Sequence, residues 1–317
     1  MPLDPTLERL VNMVYRSGFG KLHQYTPEQI MEILRLPHLR IAPVAASDFQ
    51  IRDDLSVRCY TPAQIDDTTS LPAVIFLSAT GYIINHMASC NEYCSLLANK
   101  LGMKILYISH RLAPLCQFPE FLYECLDAIK WIHLEANTLG IDANKIAIWG
   151  ESSGGNIAAS LTHLLRDEGL DIVRHQTLIY PMVDLSHDYP SKKDFAHGYL
   201  LDITFIDYLE EMVFSAGKYR QDGLASPLVN PNFNQLPTAT IITAECDPLR
   251  DEGEAYGQKL QAHQTVVKAK RFPGMIHGFL RFYNKLPLAN EAFDFACDQL
   301  KAAFIPTHEA NNTEIHL

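Results

Sequence analysis

Apolar positions along the chain follow two periods, one helical and one extended, and the two alternate. From Pro5 to Tyr15 the residues Leu7, Leu10, Val11 and Val14 recur at helical spacing, and Thr26-Pro27-Glu28-Gln29 opens a second helix with an N-cap and a proline in its first turn. Asp48 to Pro62 alternates as a hairpin with Asp53-Asp54 at its turn, and Pro72 to Leu77 is a continuous apolar strand. A helix follows from Asn85 to about Leu101, a strand from Met103 to Ile108, and a helix from Pro119 to Ala136 with Leu122, Cys125, Leu126, Ile129 and Ile132 on one face. Strands recur at Ile146, at Val173 to Tyr180, at Thr238 to Ala244 and at Val266 to Phe272, with helical patterns at Asp251 to Ala262 and Leu288 to Phe304. Such alternation predicts an α/β architecture: a mostly parallel sheet of about eight strands covered by helices on both faces.

One segment breaks the rhythm. Between Tyr180 and Pro237 there is no good strand, yet Ile203, Ile206, Leu209, Met212 and Val213 mark a helix from Asp202 to Phe214. An excursion that long from a packed sheet reads as an insertion with a task of its own, such as a lid. The two N-terminal helices carry no cluster of catalytic residue types and read either as packing elements or as part of a cover. Beyond Pro306 the chain is polar and is expected to fray.

The chemistry is concentrated at Gly150-Glu151-Ser152-Ser153-Gly154-Gly155. Gly-x-Ser-x-Gly on its own is a frequent chance match; here an apolar strand precedes it and a small-residue helix follows, which is the context a nucleophile elbow requires. Such a turn lifts the Ser152 hydroxyl off the sheet edge and leaves the Ser153 amide at a helix N-terminus, facing developing negative charge. A serine hydroxyl needs a base, and the base needs an acid to orient it. Asp247 lies in the loop after the strand ending at Ala244, and His277, between Gly274 and Gly278, lies in the loop after the strand ending at Phe272. Both loops leave the strand ends at which the elbow opens, so Ser152, Asp247 and His277 are the expected catalytic set. Asp251 and Glu252 are rival acids, but they sit about a helical turn further on, where a carboxylate more often caps a helix. Donors for an oxyanion are sought in the loop after the Pro72 to Leu77 strand, Ser78-Ala79-Thr80-Gly81-Tyr82.

Composition narrows the partners. The 317 residues are 47% apolar and 20% charged, as in a soluble globular protein, and the net charge of −11 with scattered Lys and Arg disfavours nucleic acid or an anionic membrane. Seven cysteines without a Cys-x-x-Cys pair or a His-rich partner spacing read as reduced structural thiols, and no zinc or other metal site is expected. No signal peptide and no spanning apolar run are apparent, so a cytoplasmic location is expected and the sequon Asn311-Asn312-Thr313 reads as coincidence.

Together the motifs resemble the hormone-sensitive lipase family of α/β-hydrolase esterases. Besides the elbow, the resemblance rests on His110-Arg111-Leu112-Ala113-Pro114 with Phe118-Pro119, Leu139-Gly140-Ile141-Asp142, Ser226-Pro227-Leu228 and Asp247-Pro248-Leu249-Arg250-Asp251-Glu252-Gly253. It covers nearly the whole chain. It implies an α/β-hydrolase core at 46–184 and 222–305, a helical cap from residues 1–45 and an insertion at 185–221, and a polar tail at 306–317. It also implies the Ser152, Asp247, His277 triad and cofactor-independent hydrolysis of small to medium acyl esters. An amide deacetylase with the same triad, or a ligand-binding member with weakened catalysis, are the alternatives.

The family's His-Gly-Gly-Gly is replaced here by Ser78-Ala79-Thr80-Gly81. By position Thr80, Gly81 and Ser153 are expected to supply the oxyanion amides. A β-branched Thr80 at positive φ would be strained, so either Thr80 takes negative φ or the hole is rearranged. Ser78 is the expected stand-in for the missing His, and reduced or narrowed activity follows. Tyr82, Phe205 and Ile206 are the candidate substrate-binding residues, though they would equally fill the cap's own core. Family members often pair through the edge strand, so a homodimer through Val266 to Phe272 is an open possibility.

Overall fold

Along the central strands, neighbouring side chains belong to different cores. Ala73, Ile75 and Leu77 lie on one side of the sheet while Val74 and Phe76 lie on the other, and Ile146 and Ile148 alternate in the same way with Ala147 and Trp149. The pleat sends successive residues to opposite faces, so a continuous apolar run is stable only where helices cover both. The structure, a computed structural model, describes residues 3–16, 19–26, 28–30, 41–63, 70–84, 87–215, 217–305 and 315–316.

The strands are β1 (Ala45–Arg52), β2 (Leu55–Thr61), β3 (Leu71–Leu77), β4 (Lys104–Ser109), β5 (Ile141–Glu151), β6 (Val173–Ile179), β7 (Thr238–Cys246), β8 (Val267–Ile276) and a two-residue β9 (Ile315–His316). They form one sheet in the order β1-β2-β4-β3-β5-β6-β7-β8-β9. β2 is antiparallel to both β1 and β4, and the remaining pairs are parallel. The helices are α1 (Pro5–Arg16), α2 (Met87–Leu101), α3 (Glu120–Leu134), α4 (Ala136–Leu139), α5 (Ser153–Asp167), α6 (Pro190–Asp194), α7 (Ile203–Val213), α8 (Arg250–Ala262) and α9 (Pro287–Ala303). One core lies under α3, α5 and α8, and the other under α2 and α9.

The alternation read from the sequence is that of an α/β-hydrolase fold, and three boundaries differ from expectation. β5 begins at Ile141, and β7 and β8 run on to Cys246 and Ile276. Pro273-Gly274 reads as a strand breaker; the ladder instead shifts register between Ala244 and Cys246 and resumes with Cys246 opposite Ile276. Asp247 and His277 are therefore the first residues past their strands. The tail does not simply fray, because Ile315 and His316 pair with Ala269 and Lys270 on β8, whose edge offers unpaired backbone groups.

The segment after β6 holds α6 and α7, and it is fastened to the N-terminal helices. Asp202 caps α7 by accepting from the Thr204 amide at 3.0 Å, and the Tyr15 hydroxyl reaches Asp202 Oδ2 at 3.4 Å while accepting from the Gly198 amide at 3.0 Å. The second N-terminal helix starts with a capping box: the Thr26 amide donates to Gln29 Oε1 at 2.9 Å and the Gln29 amide to Thr26 Oγ1 at 3.4 Å. Its continuation past Ile30 lies outside the described residues. No described helix is long and apolar enough to cross a membrane.

Candidate active site

Ser152 sits between the end of β5 and the start of α5 at φ 54° and ψ −117°, a conformation that L-residues hold only under constraint. The constraint is steric and hydrogen-bonded together. A Cβ built on Gly154 would lie 2.2 Å from the Leu77 carbonyl oxygen, and one on Gly150 would lie 2.3 Å from that of Gly154, so neither position admits a side chain. The Ser152 amide donates to the Ile179 carbonyl at 2.9 Å, and the Ser152 carbonyl accepts from the amides of Asn156 at 3.1 Å and Met182 at 3.3 Å.

From that turn Ser152 Oγ stands 2.8 Å from His277 Nε2, and His277 Nδ1 stands 2.8 Å from Asp247 Oδ2. Asp247 is fully buried, and its other oxygen accepts from the Leu249 amide at 2.9 Å. His277 is 12% exposed. An ionised carboxylate can only accept, so it fixes the proton on Nδ1 and leaves Nε2 free to accept from Ser152. The Tyr180 ring lies 4.7 Å from the imidazole, centroid to centroid, and limits its tilt.

Behind the turn is a buried ion pair that sequence reasoning missed. Glu151 Oε2 accepts from Arg281 Nη2 at 2.9 Å, with Trp149 Nε1 donating to Glu151 Oε1 at 3.4 Å and the Arg281 guanidinium 4.7 Å from the centre of the Tyr93 ring. It ties the residue before Ser152 to the short turn after His277. Burial, then the Glu151 charge, pushes the Tyr93 and Tyr180 phenols up, so both remain neutral. Nothing local in the sequence signals this pairing, because its two members lie 130 residues apart.

The rival carboxylates are elsewhere. Asp251 Oδ2 accepts from the Ser191 amide at 2.8 Å, and Glu252 Oε1 accepts from the amides of Val183 at 2.8 Å and Asp184 at 3.2 Å. Both anchor the base of the 185–221 segment; neither serves as the helix cap expected of it. Burial pushes Glu252 up to about 7, against the pull of Lys192 Nζ 3.0 Å away.

The loop after β3 is less open than its position suggests. Positive φ falls on Gly81 at 55° and Tyr82 at 63°, not on Thr80. The Thr80 amide turns back to the Ser78 carbonyl at 2.9 Å, so it is not aimed outward as an oxyanion donor would be. The Gly81 amide donates to Ser153 Oγ at 2.8 Å, and the Tyr82 amide to Thr80 Oγ1 at 3.1 Å. The Ser153 amide, in the first turn of α5, belongs to the N–H groups for which a helix has no acceptor. Ser78 is buried beside the Cys90 thiol and the Tyr107 phenol, so its hydroxyl faces the core below the sheet edge.

Tyr82, Phe205 and Ile206 are all buried in the core that joins the 185–221 segment to the sheet. Tyr82 is 1% exposed, with ring centroids 5.3 Å from both Phe121 and Phe214. The side chain that reaches the oxyanion loop is Leu209 of α7, which would lie 3.4 Å from a Cβ on Gly81. All seven cysteines are buried and unpaired, and no metal-binding cluster of His, Cys, Asp or Glu is present among the described residues.

Residues 74–281 match a family model described as the alpha/beta hydrolase fold. The chain belongs to the hormone-sensitive-lipase-like esterases of the α/β-hydrolase superfamily. Carboxylesterase NlhH of Mycobacterium tuberculosis is 32% identical across 95% of this chain and 96% of its own length. An ethyl acetate hydrolase of Pseudomonas putida is 32% identical over 78% of each chain. The solved hyperthermophilic esterase of the archaeon Pyrobaculum calidifontis superposes with a TM-score of 0.85 at 29% identity, covering 95% of this chain and 99% of its own.

Proposed function

We propose that this carboxylic ester hydrolase works through an acyl-enzyme formed on Ser152, with His277 as base and then acid and Asp247 as the group that orients it. One observation carries the reading: two 2.8 Å hydrogen bonds in series join Ser152 Oγ, the imidazole and a fully buried carboxylate. Ser152 Oγ attacks the ester carbonyl and its proton passes to His277 Nε2; collapse expels the alcohol, which takes that proton. Water then repeats the cycle on the acyl-serine and releases the acid. The Asp247 carboxylate stabilises the imidazolium formed in both halves. No step requires a metal or cofactor.

The oxyanion is assigned to the Ser153 amide together with the Gly81 amide, and Thr80 acts only as part of the loop's frame. Leu209 supplies the nearest apolar wall, with Tyr82, Phe205 and Ile206 supporting it from the core. The relative named for ethyl acetate supports small acyl groups as substrates. Residues 1–45 and 185–221 act as the cap over a core of 46–184 and 222–305, and the site of action is the cytoplasm. A homodimer through the β8 edge would have to share that edge with Ile315 and His316.

A fluorophosphonate probe tests the reading. It labels the wild type at Ser152, is lost in Ser152→Ala and is strongly slowed in His277→Ala, and kcat for p-nitrophenyl acetate falls about 10⁴-fold or more in either variant. Unimpaired turnover in Ser152→Ala would remove Ser152 from the mechanism.

A further inference from the structure

Among the Thr80, Gly81 and Tyr82 amides, that of Gly81 is the one held from outside its own loop, by an acceptor that can swing away. The Thr80 amide is tied to the Ser78 backbone and the Tyr82 amide to a hydroxyl of the same loop, Thr80 Oγ1, whereas Gly81 is held by Ser153 Oγ, a hydroxyl of the facing elbow that turns on one bond. Ser153 is 2% exposed, so water does not take the hydroxyl's place.

An oxyanion held by the Gly81 and Ser153 amides must lie about 3 Å from both nitrogens. Ser153 Oγ already lies 2.8 Å from Gly81 N. Covalent geometry keeps it within about 4 Å of its own amide nitrogen. The hydroxyl and the oxyanion therefore contend for one acceptor position. We infer that the Ser153 side chain is an internal competitor for the Gly81 amide, so that the oxyanion hole opens only when this hydroxyl changes rotamer. The inference rests on the assignment of Ser152 as nucleophile. A charged oxygen is the stronger acceptor, so it displaces the hydroxyl as charge develops. The hydroxyl moves to another staggered well, and the neutral hydrogen bond it gives up is subtracted from transition-state stabilisation. Binding of the uncharged ester is unaffected, because its carbonyl does not yet demand the site.

Removing the hydroxyl therefore accelerates the reaction. Ser153→Ala raises kcat for p-nitrophenyl acetate about fivefold, the worth of one neutral hydrogen bond, with KM unchanged. A trifluoromethyl ketone, which forms an anionic adduct on the nucleophile, binds this variant tighter by the same factor. Ser153→Gly also lacks the hydroxyl and gives the same sign should the alanine variant fold poorly. Ser153→Thr keeps the oxygen with fewer rotamers and is slower than wild type. Unchanged or reduced kcat in Ser153→Ala, with fluorophosphonate labelling of Ser152 intact, overturns the inference and leaves the triad standing; a fall would make the hydroxyl a donor to the oxyanion. Absence of labelling in the wild type removes the triad reading and this inference with it.

Discussion

The turn after β5 and the loop after β3 touch at the C-terminal edge of the sheet, through the Gly81 amide and Ser153 Oγ, yet they are held in different ways. The elbow is fixed by backbone pressed on backbone: every atom that a Cβ on Gly154 would meet first belongs to the main chain of Leu77 or Ser78. The neighbouring loop is fixed by hydrogen bonds, two within itself and one to Ser153 Oγ, and a Cβ on Gly81 would meet only the movable end of Leu209. Steric confinement allows few sequences. Hydrogen-bonded confinement allows many, provided each amide finds an acceptor, and this is how Ser-Ala-Thr-Gly can stand where a glycine run is expected. The cost of that freedom, in the proposed mechanism, is an acceptor from Ser153 on the amide assigned to the oxyanion.

Substitutions at the two sites sharpen the contrast. Gly154→Ala has the largest expected effect: with 2.2 Å to the Leu77 carbonyl the strand and helix must part, costing about 3 kcal/mol or more. Thermal melting is lowered steeply and probe labelling of Ser152 is lost; a variant with normal melting and labelling would mean the elbow is not sterically fixed. Gly81→Ala is next. The new methyl meets Leu209 at an ordinary 3.4 Å, so the penalty is that of φ 55° for an L-residue, about 1–2 kcal/mol. The protein folds, and kcat falls about tenfold if that strain is relieved by turning the amide away. Thr80→Val has the smallest effect, removing the acceptor of the Tyr82 amide for about 1 kcal/mol with turnover nearly unchanged. An effect of Thr80→Val larger than that of Gly81→Ala would invert the proposed division of labour.

Legibility in the sequence followed range. The elbow was legible because strand, turn and helix are contiguous, and each leaves a local signature from Ile146 to Ala159. Asp247 and His277 were legible because the first residues beyond parallel strands must gather on one edge, although the strand ends themselves were misplaced by the bulge that carries β8 past Pro273-Gly274. Tyr82, Phe205 and Ile206 show the limit. Their apolar character gives burial but not which cavity they face, and the fold put them in the core. Asp251 and Glu252 show it again: charge and helix position suggested capping, whereas their partners are backbone amides some 60 to 69 residues away.

By itself the sequence determined the order of elements, the two-sided burial of the sheet and the nucleophile turn, because period and steric size act between near neighbours. Only the tertiary structure decided that Glu151 meets Arg281 behind the serine, that Thr80 escapes positive φ, and that the Ser153 hydroxyl claims the Gly81 amide. Each of these depends on which polar groups are left to satisfy one another once the chain has closed on itself, and no local pattern encodes that pairing.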